Sequence, residues 1–242
     1  MLKENERIDD IELKGLKIIQ DKSGFCFGID AVLIANFCDI KRNSKVVDLG
    51  TGTGIIPLIL WGKKNVSKIY GIEIQKEVAD MAKRSMKLNN LEEKIEILNI
   101  DLKEVDKYID IDSVDVVVSN PPYMNSGGGL LNPNDKKAIS RHELLCSLED
   151  IIKNTKKLLK DNGSFFMIHR PYRLVDIIYL LRKHKLEPKI LRFVHPKMGK
   201  EPNMVLIKAV KGGNPELRTK PPLYVYDDDG KYSDEIDEIY GR

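Results

Sequence analysis

The 242-residue chain is poor in three residue types that often carry chemistry: three cysteines, four histidines and one tryptophan. Cys26, Cys38 and Cys146 are odd in number and far apart, which argues against a disulfide framework. No histidine stands at ligand spacing from a partner, so zinc or another bound metal is not expected. The thiols read instead as small buried apolar groups. Long apolar runs are also missing. The longest, residues 55–61, is far too short to cross a bilayer, and the amino end is polar without a signal-peptide core. A cytoplasmic protein with no membrane partner is expected. Asp227-Asp228-Asp229-Gly230 lacks the alternation and the closing Glu of a calcium loop.

What is present fits one compact α/β domain over residues 1–210, with a hairpin and helix extension in residues 1–44 and an acidic tail, residues 211–242, packed on it. Charge is unevenly spread. Residues 212–242 hold eight acids against four bases, so the preceding 211 residues carry about +7 although the whole chain carries +3. A mildly basic body favours an anionic partner without distinguishing RNA from DNA.

Two motifs carry the chemistry. The first is Asn120-Pro121-Pro122-Tyr123, which follows the apolar run of residues 114–119, a stretch suited to a parallel strand buried on both faces. The prolines stiffen the exit from the sheet and turn carbonyl oxygens outward. The Asn120 amide oxygen and the Pro121 carbonyl can hold the two hydrogens of an exocyclic NH2, and Tyr123 offers a flat face for stacking. Hydrogen bonds that draw that nitrogen toward tetrahedral geometry free its lone pair for attack, so no strong base is needed. The competing reading is a plain Pro-rich turn.

The second motif is Asp48-Leu49-Gly50-Thr51-Gly52-Thr53-Gly54, a strand running into a glycine loop that opens a helix at Ile55. Glycines let a ligand approach the backbone, and a helix amino end offers unpaired N–H groups. The G-x-G-x-G spacing departs from the dinucleotide fingerprint, which disfavours hydride transfer. A second strand, residues 68–72, ends at Glu73, whose carboxylate can accept both hydroxyls of a ribose, and a third, residues 94–100, ends at Asp101. For each acid alone the plain reading is a solvated strand end. Three in succession argue for a shared ligand.

This arrangement resembles the class I S-adenosylmethionine-dependent methyltransferases. The resemblance implies a Rossmann-like sheet of seven mostly parallel strands, with one antiparallel strand at residues 204–210 and helices on both faces. It further implies that S-adenosylmethionine lies against Asp48, Gly50, Thr51, Gly52, Gly54 and Asn120, with Glu73 and Ile74 at its ribose and Asp101 and Leu102 at its adenine. Asn-Pro-Pro-Tyr is similar to the signature of enzymes that methylate adenine N6, guanine N2 or glutamine amides. The run Phe25-x-Phe27-Gly28-x-Asp30-Ala31-x-Leu33-x-Ala35, with Arg141-His142-Glu143 and His169-Arg170-Pro171, resembles the bacterial valine-tRNA adenine-37 N6-methyltransferase family. That resemblance implies tRNA as partner; a monomer is expected. It leaves a glutamine-amide methyltransferase and a noncatalytic RNA-binding protein as alternatives. Only 44 residues precede the first sheet strand, fewer than the helical domain of glutamine methyltransferases, and no stretch is long enough for a DNA target-recognition domain.

Smaller expectations complete the picture. Residues 16–20 and 25–27 should form a hairpin around residues 21–24, and Asp30 should cap the helix that follows. Residues 124–140, glycine-rich and basic, suit a segment that closes over a polynucleotide. Gly163 should stop an amphipathic helix whose wet face holds Lys153, Lys156, Lys157 and Lys160. His169, Arg170 and Arg173 after the fifth strand, and Lys197 and Lys200 after the sixth, should share the rim with Asn120, and with Phe27, Asp30 and Arg141 are the candidate substrate contacts.

Overall fold

A computed structural model describes residues 2–22, 26–122 and 146–242. The chain opens with β1 (Glu6–Asp10), β2 (Lys17–Asp21) and α1 (Ile29–Phe37). Next come β3 (Ser44–Leu49), α2 (Ile55–Lys63), β4 (Val66–Ile72), α3 (Lys76–Leu88), β5 (Ile95–Leu98), a 3-10 helix at Leu102–Lys107 and β6 (Val114–Ser119). The carboxyl half holds α4 (Leu148–Leu158), β7 (Leu159–His169), a 3-10 turn at Pro171–Arg173, α5 (Leu174–Lys183), β8 (Leu186–His195) and β9 (Met204–Lys211). Two-residue strands β10 (Arg218–Thr219) and β11 (Leu223–Tyr224) and helix α6 (Asp234–Tyr240) close it.

Seven strands form a sheet in the order β8-β9-β7-β6-β3-β4-β5, and β10 and β11 add to β8 in parallel. The expected single antiparallel strand is β9, which runs against both β7 and β8. That these two short strands would pair with β8 was not anticipated. Because the chain proceeds from β3 outward to β4 and β5, then returns to place β6 on the other side of β3, the order reverses between β3 and β6. Ligands of open α/β sheets bind outside the carboxyl ends of the strands at such a reversal.

Strand alternation divides the interior in two. Phe166 points with Val46, Val116 and Val118 into a core shared with α1, α2 and α3, and Phe165 points with Val47 and Val117 into a core shared with α4 and α5. Each phenylalanine is fully buried, worth roughly 1.5–3 kcal/mol of transfer free energy. The tail joins the first core through Ile236, which is wholly buried, and through Tyr232, Ile239 and Tyr240. Arg192 grips Glu235 with two bonds of 2.6 and 2.7 Å.

Four local expectations are corrected. The hairpin partner of β2 is β1, upstream, and Cys26 and Phe27 carry no strand. The sequence of β1, Glu-Arg-Ile-Asp-Asp, hides its pairing because Glu6 is buried by a bidentate bond to Arg84 (2.6 and 2.5 Å) rather than by apolar character. Helix α1 begins at Gly28 as N-cap, so Asp30 lies in its first turn. Helix α4 ends at Leu158, and Lys160 and Gly163 belong to β7, where a Cβ on Gly163 would come 2.8 Å from the Lys160 carbonyl oxygen. Of the thiols, only Cys38 is fully buried, and Cys26 and Cys146 are half-buried.

Candidate active site

Sheet register brings the two motifs to one level. Leu49 stands opposite Ile72 on one side and Ser119 on the other. The next residues along, Gly50, Glu73 and Asn120, therefore leave the sheet side by side. The buried Ser119 hydroxyl donates 2.9 Å to the Leu49 carbonyl and ties the two strand ends together.

The glycine loop owes its shape to backbone that side chains resist. Gly50, Gly52 and Gly54 have φ of 78°, 57° and 88°. A Cβ on Gly54 would sit 2.8 Å from Met86 Cε, whereas at Gly50 and Gly52 it would meet nothing within 4 Å. The loop thus packs on α3 at one end and faces open space at the other. Glu73, almost fully buried, holds it: one carboxylate oxygen accepts the Gly52 N–H at 3.0 Å and the other accepts the Gln75 N–H at 2.9 Å. Each oxygen retains acceptor capacity for a hydroxyl. Asn99, unmarked in the sequence, donates to the Glu73 and Ile74 carbonyls at 2.9 and 3.0 Å and fixes the same corner.

A cleft opens over these strand ends. Gly50, Glu73, Ile74, Asp101 and Leu102 line it, as do Pro121 and Pro122, with His169 and Arg173 at its other side. Cys146, Leu148 and Ile151, from the start of α4, form an apolar wall that sequence reasoning missed. Asp101 caps the 3-10 helix through the Lys103 N–H (2.9 Å) and pairs with the Lys103 ammonium at 3.2 Å. Burial pushes the Cys146 thiol up to about 12, the Asp150 and Asp101 carboxylates adding to the effect.

His169 is 4% exposed, and burial together with the Arg173 and Arg170 cations lowers its pKa to about 4. Its Nδ1 accepts the Arg170 N–H at 2.8 Å, so the neutral ring carries its proton on Nε2. Arg173 pairs with Asp176 at 2.9 Å, and the Arg170 guanidinium donates to the Asn203 carbonyl at 2.9 Å. Lys197 and Lys200 are exposed in the β8–β9 connection, on the edge where β7 also ends.

Other candidates fall elsewhere. Asp48 and Thr51 are buried outside the cleft lining, and Asp48 shares its sheet face with Val46. Among the described residues neither Asp48 carboxylate oxygen has a hydrogen-bond partner, and burial drives its pKa up to about 7; the Thr51 hydroxyl beside it opposes the shift and Glu73 reinforces it. Phe27 lines a separate cavity with Leu13, Val32 and Tyr240. The Asn120 Nδ2 donates 3.0 Å to Asp30, on α1. Tyr123, Arg141 and residues 124–140 lie outside the described residues. No cluster able to hold a metal occurs among the described residues.

A cleft lined by Gly50 with open space before it, two acids spaced along it and apolar walls suits a nucleoside bearing hydroxyls and a ring amine, whereas Gly52 and Gly54 lie outside the lining. Fold and cleft define a class I methyltransferase. Residues 28–177 match the methyltransferase small domain family, and the chain belongs to it. Enzymes of this kind use S-adenosylmethionine, and the cleft residues fit that group. The chain is 26% identical to the tRNA1(Val) (adenine(37)-N6)-methyltransferase of Parabacteroides distasonis over 81% of each chain. It is 24% identical to the Aeromonas hydrophila protein of the same name over 91% of each. Among solved structures, a predicted O-methyltransferase from Agrobacterium tumefaciens superposes with a TM-score of 0.71 at 22% identity, covering 88% of this chain and 95% of that one. The geranyl diphosphate C-methyltransferase of Streptomyces coelicolor, solved with S-adenosyl-L-homocysteine, superposes at 0.56 with 13% identity, covering 75% and 79%. At these identities the structural likeness speaks for the fold.

Proposed function

We propose that this methyltransferase modifies the exocyclic N6 of an adenine in RNA, at position 37 in the anticodon loop of a tRNA. The observation that carries the reading is the emergence of Asn120 beside Gly50, at the level of Glu73, leading straight into Pro121 and Pro122 in the lining of the cleft. The relatives' names support the tRNA and the nucleotide. When bound, S-adenosylmethionine supplies a methyl group on a sulfonium, a strong electrophile with a neutral leaving group.

The residues do the rest by position. Gly50 admits the cofactor to the backbone, and Glu73 and Asp101 accept hydrogens from its ribose and adenine. Asn120 Oδ1 and the Pro121 carbonyl accept the two N6 hydrogens and draw the nitrogen out of conjugation as it attacks. The lone-pair nitrogen of His169, Nδ1, already accepts the Arg170 N–H, and a pKa lowered to about 4 makes the ring a weak base; the surplus proton leaves to solvent or a backbone carbonyl. The target base must leave its stack, and Arg170, Arg173, Lys197 and Lys200 line the edge from which phosphates would hold it.

The test offers labelled S-adenosylmethionine to bulk tRNA and to a peptide-chain release factor side by side. Label should appear in N6-methyladenosine of digested tRNA. Asn120→Ala should lower transfer on the order of 10²-fold while cofactor affinity stays within about twofold. Label on the release factor alone would overturn the substrate, and cofactor binding with no transfer to either would favour a binding protein.

A further inference from the structure

Within the proposed reaction, Asn120 must present one definite atom. An amide can offer either its oxygen or its NH2 to a ligand by a half-turn about one bond, and only the oxygen can accept hydrogens from an amine. The structure shows what decides. Asn120 Nδ2 lies 3.0 Å from Asp30 Oδ2, on a helix 90 positions earlier in the chain. An ionised carboxylate is an acceptor only, so the half of the amide that meets it must be the NH2, and Oδ1 is turned the other way.

The carboxylate is itself held in place. Its other oxygen, Oδ1, accepts the Ala31 N–H at 3.0 Å in the first turn of α1, a position where negative charge is favoured by the helix dipole. Gly28, the N-cap, has φ of −98°, a value any residue adopts. What a side chain would take is space: a Cβ there would stand 2.7 Å from Asp30 Oδ1, so the carboxylate would have to shift. The run Gly28-x-Asp30 thus makes room for a carboxylate and aims it at the end of β6.

We infer that Asp30 is a positioning residue that locks the Asn120 amide with its oxygen toward the incoming amine, and that Gly28 exists to let it do so. This inference rests on the amino-methyltransferase reading of the site. A carboxylate accepting from Nδ2 also enriches Oδ1 in electron density, which strengthens its hold on an amine becoming positive. Asp30 acts through Asn120 and need not touch the substrate.

Two variants test the assignment. Asp30→Ala removes the acceptor, and Gly28→Ala keeps the carboxylate but displaces it. Both should lower kcat for tRNA methylation about 10- to 100-fold with little change in KM or in cofactor affinity. Asp30→Asn, able to accept through its own Oδ1, should recover most of the loss. A readout independent of any substrate is the side-chain amide signal of Asn120 in 15N spectra. In the unaltered protein its two protons should be widely split, with slow solvent exchange, and both Asp30→Ala and Gly28→Ala should collapse the splitting. If the Asn120 signal is the same in all three proteins, or if Asp30→Ala raises KM alone, the inference is overturned. A signal that collapses as expected in a protein that methylates no tRNA would overturn the substrate reading and leave the positioning role standing.

Discussion

Two buried ionisable side chains near the site respond to pH in opposite senses. Asp48 keeps its proton in the folded protein up to about pH 7, whereas an unfolded chain releases it near 3.9. The unfolded state therefore binds fewer protons between those values, and the Asp48 contribution to stability falls as pH rises through that window. Asp48→Asn should match the wild type near pH 4 and exceed it at pH 8 by up to about 4 kcal/mol in urea titrations of the cofactor-free protein. His169 runs the other way: its folded pKa of about 4 lies below the usual value of 6.5, so its contribution is complete above 6.5 and is lost as pH falls toward 4. Comparing Asp48→Asn with the wild type at each pH isolates the carboxylate from the imidazole. A gap independent of pH would contradict this assignment of the Asp48 proton.

At the scale of elements, the first turn of α4 joins stability to the cleft. Ser147 and Asp150 close a capping box, with the Asp150 N–H on Ser147 Oγ at 3.1 Å and the Ser147 N–H on Asp150 Oδ2 at 3.0 Å. The flanking Cys146 and Leu148 are cleft wall. Ser147→Ala should cost about 1 kcal/mol in chemical denaturation and weaken cofactor binding several-fold by fraying that wall. Calorimetric titration showing unaltered affinity would separate cap from cleft. The sequence marked elements well where pattern and chemistry coincided: the Val-rich β6, the glycine loop and the acids at 73 and 101 all fall on one edge. It failed where long-range partners decide. Nothing in Glu6–Asp10 looks like a strand until Arg84 reaches Glu6, and the outer edge of β2 is covered by polar side chains of α3, Ser85 on the Ile19 N–H at 2.9 Å and Asn89 on Lys17. Asn99 and Ser119 escaped notice because a lone polar residue near a strand end says nothing about which carbonyl it will meet.

For the whole molecule, the mostly parallel sheet sends the glycine loop, Glu73, Asp101 and Asn120 to one edge, and the basic residues of two separate connections arrive there with them. Neutralising Lys197 and Lys200 together should weaken tRNA binding across sequences and lower the slope of log affinity against log salt by about 2, provided both meet phosphate. Filter binding between 50 and 200 mM salt would measure it, and an unchanged slope would remove these lysines from the RNA path.

The thiol of Cys146 sits in the wall of this cleft, where burial and then the Asp150 and Asp101 carboxylates resist its ionisation. At physiological pH almost none of it is thiolate, which makes it a poor target for mild warheads such as acrylamides. A covalent ligand seated in this cleft would need a hotter electrophile, or a basic group placed to take the proton, before that sulfur could serve as an anchor for selective inhibition.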